Sequence, residues 1–140
     1  MKIVLLSLFC SVLLFTSCSK SKDTEEIKTE SGLVGKWYLK RWVANDVSGT
    51  SSRPSNGNYD AGDYLQFEAG GKLTARVDAR LSVAAWQLLD NNKKLWIIST
   101  VLDTPDDGYQ IKTLNSSSLV LYVKETSGAS YSEMTIYLQK

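Results

Sequence analysis

The 140-residue chain contains no histidine. That removes the commonest general base, the commonest zinc ligand and the side chain that switches charge near neutral pH. A Ser-His-Asp triad is excluded outright. Cysteine is nearly missing too: Cys10 and Cys18 are the only two, both near the N-terminus. No disulfide can staple the body of the chain, so burial and backbone pairing must hold it. There is no excess of charge. Lys2 is the only charged residue ahead of Cys18, so from Cys18 onward 15 basic residues face 15 acidic ones. A neutral domain lacks the basic face that nucleic acid requires. No long stretch carries helical periodicity. The longest apolar run, Ile3 to Phe15, is broken by Ser7 and Ser11 and is short for a membrane span. Gly70-Gly71-Lys72 lacks the spacing of a phosphate loop. The acidic residues Asp103, Asp106 and Asp107, with Asp46, Asp60, Asp63 and Glu125, offer oxygen ligands but match no calcium-loop spacing and read as a solvated rim. The expectation is a protein that is not an enzyme and holds neither cofactor nor metal.

What is present divides the chain into three parts: 1–17, 18–31 and 32–140. The short apolar run after Met1-Lys2 has the length of a signal-peptide core. It ends in Phe15-Thr16-Ser17-Cys18-Ser19, which resembles a bacterial lipobox, with Phe15 in place of the usual Leu. The resemblance implies cleavage before Cys18 and acylation of that cysteine. Two or three acyl chains anchor firmly where one does not, because each buried methylene contributes about 0.8 kcal/mol. Ser19 after the cysteine resembles lipoproteins sent to an outer membrane, whether its periplasmic face or the cell surface. Residues 19–31 are polar and charged, with Ile27 the one large apolar side chain, and read as a flexible tether.

From Gly35 onward apolar residues alternate with period two, and eight strands follow in order. The inward positions are Trp37, Leu39 and Val43 in the first strand, Leu65 and Phe67 in the second, and Leu73, Ala75 and Val77 in the third. Trp86 and Leu88, Leu95 and Ile97, Tyr109 and Ile111 follow, then Leu119, Leu121 and Val123, and finally Met134, Ile136 and Leu138. Trp96 and Ile98 make the fifth strand apolar on both faces, as if it were covered on both sides. Connections alternate in length. Ala69-Gly70-Gly71, 90–93 and 115–117 are short, whereas Asn45–Gly62, Asp103–Gly108 and 126–130 are longer. An up-and-down barrel places alternate connections at one end, so one pole is sealed by tight turns and the other is rimmed by long loops. The Asn45–Gly62 stretch, rich in Gly, Ser and Asn, reads as a loop able to act as a lid.

Gly35-Lys36-Trp37 opening the first strand, Leu65-x-Phe67-x-x-x-Gly71 in the second hairpin and Trp86-x-Leu88 in the fourth strand resemble the lipocalin-like domain of small bacterial cell-envelope lipoproteins. The resemblance covers roughly Leu33 to Lys140. It implies an all-β, eight-stranded antiparallel up-and-down barrel, with Trp37 packed across the closed base beside Phe67. It implies a small hydrophobic or amphipathic ligand at the open end. The second and third lipocalin motifs and the C-terminal helix are not evident. The residues expected to line the mouth and interior are Arg41, Val43, Val77, Trp86, Tyr109 and Met134. Read at strict alternation Arg41 points inward, where it could meet an anionic ligand group; a bulge would turn it to solvent. The alternative function is a non-catalytic interaction subunit or inhibitor with a filled interior. It would meet another envelope protein through its loops and outer aromatics Tyr38, Trp42, Trp96, Tyr122 and Tyr137.

Overall fold

The computed structural model describes residues 29–102 and 105–140. The expected signal peptide, the acylated Cys18 and most of the expected tether lie outside the described residues. One helical turn, α1 (Thr29–Leu33), is followed by nine strands: β1 (Gly35–Ser48), β2 (Ser51–Asn58), β3 (Tyr64–Phe67), β4 (Lys72–Val77), β5 (Arg80–Leu89), β6 (Lys94–Ile98), β7 (Tyr109–Leu114), β8 (Ser118–Ser127) and β9 (Ser130–Gln139). All pairs are antiparallel, and β1 pairs with β9 as well as β3, so eight strands close into the expected up-and-down barrel. Closure leaves the ring no raw edge. β2 is the ninth strand and stands outside the ring.

The first strand explains how nine strands make an eight-membered ring. Its lower part pairs with β3 over Lys36↔Gln66 to Tyr38↔Tyr64, and its upper part pairs with β2 from Arg41↔Asn58 to Ser48↔Ser51. Between them the chain turns a corner. Tyr59 donates its backbone N–H to the Lys40 carbonyl, and Leu39 donates its own to that of Asp63, each at 3.0 Å. The stretch expected as a loop, Asn45–Gly62, is thus mostly strand. Its composition is poor in strand formers, but β1 is already held along its far edge by β9 and presents a ready template. The four strands β2, β1, β9 and β8 end level, with Ser48 beside Ser51 and Ser130, and Ser127 beside Ser130. They rise past the other staves as a projecting sheet. The connection after β8 is correspondingly a two-residue turn rather than a long one, leaving 99–108 as the one long connection at that pole among the described residues.

The core fills the barrel from its base. Trp37, Phe67, Leu65, Leu73, Leu95, Leu119 and Leu138 are all at most 1 % exposed. α1 plugs the base: Leu33 is fully buried, and Trp37 donates its indole N–H to the Leu33 carbonyl at 2.7 Å. The expected tether, drawn to Ser31, therefore overlaps the first residues of the folded body. Lys140 clamps the plug from outside, donating to the carbonyls of Gly32 and Val34 at 3.3 Å with its ammonium 4.6 Å from the Trp37 ring. On the other side Trp86 stands edge-on to Phe67, centroids 5.6 Å apart. It shares its indole N–H between the Glu68 and Lys72 carbonyls at 3.1 and 3.0 Å.

Candidate functional site

A bulge decides what the projecting sheet shows to the barrel mouth. The β1–β9 register shifts between Leu39 and Arg41, so Leu39 opposes Leu138 but Trp42, not Arg41, opposes Ile136. Paired residues of an antiparallel ladder share a face. Beyond the bulge the inward set is therefore Trp42, Ala44 and Asp46. Arg41 and Val43 turn to the outside, and Arg41 stacks on the Tyr137 ring at 3.9 Å. Both were expected to line the interior, and both lie away from it. The physical reason is the extra residue at Lys40, which reverses the period-two phase. Trp42, expected outside, packs over Gly57, where a Cβ would come within 2.8 Å of the indole nitrogen.

The interior is closed partway up. Val101 and Leu102 fold inward from the long connection, Leu102 buried at 9 % exposure, and Ser82 and Thr100 share a hydroxyl hydrogen bond at 3.1 Å. That leaves the opposite side of the mouth open as a groove of about 340 Å3 beneath the projecting sheet, lined by Ala44, Asp46, Pro105, Tyr109, Val123, Glu125, Ser132 and Met134. Its floor is apolar: Tyr109 is 1 % exposed, and Val123 and Met134 pack on the core. Two carboxylates, Asp46 and Glu125, stand on its walls. It continues past Pro105, Val123 and Glu125 into a larger hollow of about 680 Å3 bounded by Lys94, Asp106, Asp107, Gln110 and Lys124. The continuation exists because β6 and β7 pair through only two residues each, Lys94↔Gln110 and Leu95↔Tyr109. β8 therefore runs on above the first residue of β7.

Of the residues expected to line a ligand site, Tyr109 and Met134 meet in this groove. Val77 is in the core, and Trp86 lies low in the barrel beside Phe67. Asp46, Asp106, Asp107 and Glu125 of the expected acidic rim do gather at this pole. Ala44, Pro105 and Ser132 were not foreseen. Ala44 and Ser132 follow once the bulge is placed, because the corrected phase pairs Ala44 with Met134 and Asp46 with Ser132. Comparison of the chain with protein-family models and with curated proteins finds no match.

A second acidic group sits at the corner between β2 and β3. Asp60, Asp63 and Asp78 bring one carboxylate oxygen each within 4.8 Å of one another, the set among the described residues whose spacing could meet a hard cation. Asp63 is 1 % exposed, and its Oδ2 accepts the backbone N–H groups of Asp60 and Asp78 at 3.3 Å. Those bonds tie the corner to the β4–β5 turn, where Asp78 and Ala79 both take positive φ. They give the buried carboxylate a structural task. The neighbouring Tyr59 phenol is pushed up to about 12 from its ordinary 10, by burial first and then by the charges of Asp78 and Asp63.

The sign of the consequence follows from linkage. Between those two values the folded state keeps a proton that the unfolded state has lost, so stability falls as pH rises through that window and is unaffected by this group below it. Urea midpoints measured at about pH 9 and about pH 11 are expected to show a smaller alkaline loss in Tyr59→Phe than in the parent.

Proposed function

We propose that this chain is a lipid-anchored lipoprotein of the outer membrane, acylated at Cys18, with a lipocalin-like barrel that binds a small amphipathic molecule at its long-loop end. The observation that carries the reading is the groove: an apolar floor of Tyr109, Val123 and Met134 under two carboxylates, resting on the buried core. Such a surface takes a short apolar body across the floor and a cationic or hydrogen-bond-donating head between Asp46 and Glu125. The ligand rests on top of the core and does not enter it. Binding rather than catalysis is proposed because the chain has no histidine to serve as a general base.

Titration of the purified protein with dodecylamine and with dodecanoate tests this. At neutral pH the amine is expected to bind at least about tenfold more tightly, a difference of about 1.4 kcal/mol. Replacing Asp46 by Asn and Glu125 by Gln together is expected to erase that preference while leaving the thermal unfolding transition in place. Failure of both amphiphiles to bind would turn the reading to its alternative, a non-catalytic interaction subunit. The outer tyrosines Tyr137, Tyr131 and Tyr122, each covered by a cation at 3.9 to 4.7 Å, favour that alternative.

A further inference from the structure

The projecting sheet of β2, β1, β9 and β8 ends in two strand edges, and they are built differently. In an antiparallel ladder successive residues turn their backbone N–H and C=O alternately to one neighbour and to the other. On the β2 edge the Tyr59 N–H goes to the Lys40 carbonyl, and the β1–β2 register runs unbroken from there. Odd-numbered residues of β2 therefore bond to β1, while Ser52, Pro54, Asn56 and Asn58 turn their backbone outward. Pro54 has no N–H to offer, so this edge is interrupted at its middle. On β8 the Ser117 carbonyl takes the Lys140 N–H, on the β9 side, and the Ser118 carbonyl takes that of Asn115, on the β7 side. The β8–β9 register is unbroken as far as Ser127, so odd-numbered residues bond to β9 and even-numbered ones turn toward β7. No proline interrupts this edge.

Above Tyr122 the β7 ladder is missing. Tyr122 pairs with Gln110, and the same register carried upward would set Gly108 against Lys124 and Asp106 against Thr126. The chain turns away instead. Gly108, at φ +72, gives its N–H to the Pro105 carbonyl at 2.9 Å and lies against β6, where a Cβ would come 3.0 Å from the Leu95 carbonyl oxygen. That turn covers only the edge of β6; the outer face of the strand, expected to be covered, leaves Ile98 52 % exposed. The backbone groups of Lys124 and Thr126 thus open into the hollow of about 680 Å3, and among the described residues none takes them in a backbone bond. We propose that an extended peptide segment with basic side chains at alternate positions binds here as a strand added to β8. The edge chooses the class: two N–H donors and two C=O acceptors at strand spacing complement another main chain. The charges choose the side chains. Cross-strand partners share a face, so the residue opposite Glu125 points into the mouth, where Glu125 and Asp46 wall the groove. The lysines of the hollow, Lys94 and Lys124, hold outward positions beside the inward Leu95 and Val123, and Lys124 lies over the Tyr131 ring. The preference for a basic side chain rests on the groove reading, with Lys or Arg as the cationic head; the backbone pairing does not.

The test titrates the purified protein with the capped peptide Thr-Lys-Thr-Lys-Thr and with its Glu counterpart. The Lys peptide is expected to bind at least about tenfold more tightly. Thr126→Pro deletes an N–H that faces the hollow and spares the bonds to β9. It is expected to weaken peptide binding by a similar factor, with the unfolding transition in place and dodecylamine binding unchanged. Asn56→Pro, the matching change on the β2 edge, is expected to leave peptide binding intact. A second readout leaves the protein unaltered. With Lys inward, the Thr residues lie opposite Lys124 and Thr126 and direct their N–H groups at β8. Methylating the Thr backbone nitrogens is therefore expected to abolish binding, and methylating those of Lys to preserve it. No binding of the Lys peptide, binding that survives Thr126→Pro, or equal loss from methylating either set would overturn the proposal. So would a peptide-free dimer that Thr126→Pro dissolves, since the edge would then belong to a second copy of this chain. The two readings fail separately. Dodecylamine binding without peptide binding overturns the added strand alone. Peptide binding lost on Thr126→Pro, without dodecylamine binding, upholds the strand and overturns the amphiphile.

Discussion

Trp37→Ala is expected to be among the most damaging single changes in the chain, lowering stability by about 3–5 kcal/mol. The side chain is fully buried at the base and holds α1 in place through its indole N–H on the Leu33 carbonyl. Removing it opens a cavity too deep in a closed ring for the strands to collapse into. It also leaves a buried carbonyl without its partner. A five-residue helix has no stability of its own, since nucleation is unfavourable and too few residues follow to repay it. The plug should therefore come loose along with the tryptophan. Thermal unfolding is expected to move down by something on the order of 10–20 °C, with early exchange of the Val34 amide, which bonds to the Glu30 carbonyl. Trp37→Phe separates the two losses. It keeps most of the volume and drops only the donor, so its cost is expected to be about 1–3 kcal/mol. If the two variants cost the same, packing is not what seals the base.

The contrast between what this sequence discloses and what it conceals follows the same distinction between local and borrowed structure. Inward alternation was legible wherever a strand carries its own strong pattern. Leu73-Thr74-Ala75-Arg76-Val77 and Leu119-Val120-Leu121-Tyr122-Val123 each place their odd-numbered residues inside, as the structure does. β2 was not legible, because Ser51-Ser52-Arg53-Pro54-Ser55-Asn56-Gly57-Asn58 has almost no strand propensity and buries nothing. It is a strand because β1, stiffened by ten partners on β9, offers it a row of backbone groups. The bulge at Lys40 was conceivable from the cost of burying Arg41, but nothing local places it. It coincides with the corner at 59–63, where the Lys40 carbonyl accepts the Tyr59 N–H. That one residue determines the candidate site. It turns Arg41 and Val43 outward and brings Ala44 and Asp46 over Met134 and Ser132. The floor residues Tyr109 and Met134 were recoverable from alternation alone. The walls required the register.

Gly71→Val is expected to cost roughly 2–6 kcal/mol, about 1–3 for its backbone conformation and about 1–3 for overpacking. Gly70→Val is expected to incur only the first part. The pair is informative because both residues are left-handed, at φ +83 and +86, so the conformational penalty is shared. Their surroundings differ. A Cβ on Gly70 meets nothing within 4 Å, whereas one on Gly71 would sit 2.9 Å from the Trp86 carbonyl oxygen. That oxygen cannot easily retreat, because the Trp86 N–H is bonded to the Gly71 carbonyl at 2.8 Å and ties the two backbones together. Relief must come from sliding β5 away from the turn. Such a slide draws the Trp86 indole off the Glu68 and Lys72 carbonyls and out of its edge-on contact with Phe67. Gly71→Val should therefore change the near-ultraviolet signature of a buried tryptophan as well as the unfolding midpoint, and Gly70→Val should change the midpoint alone. Equal effects in both would mean that strain in the turn, and not its fit against Trp86, limits the base. A loss confined to Gly71 would place Trp86 among the side chains that close the barrel, well below the groove where a ligand is proposed to rest.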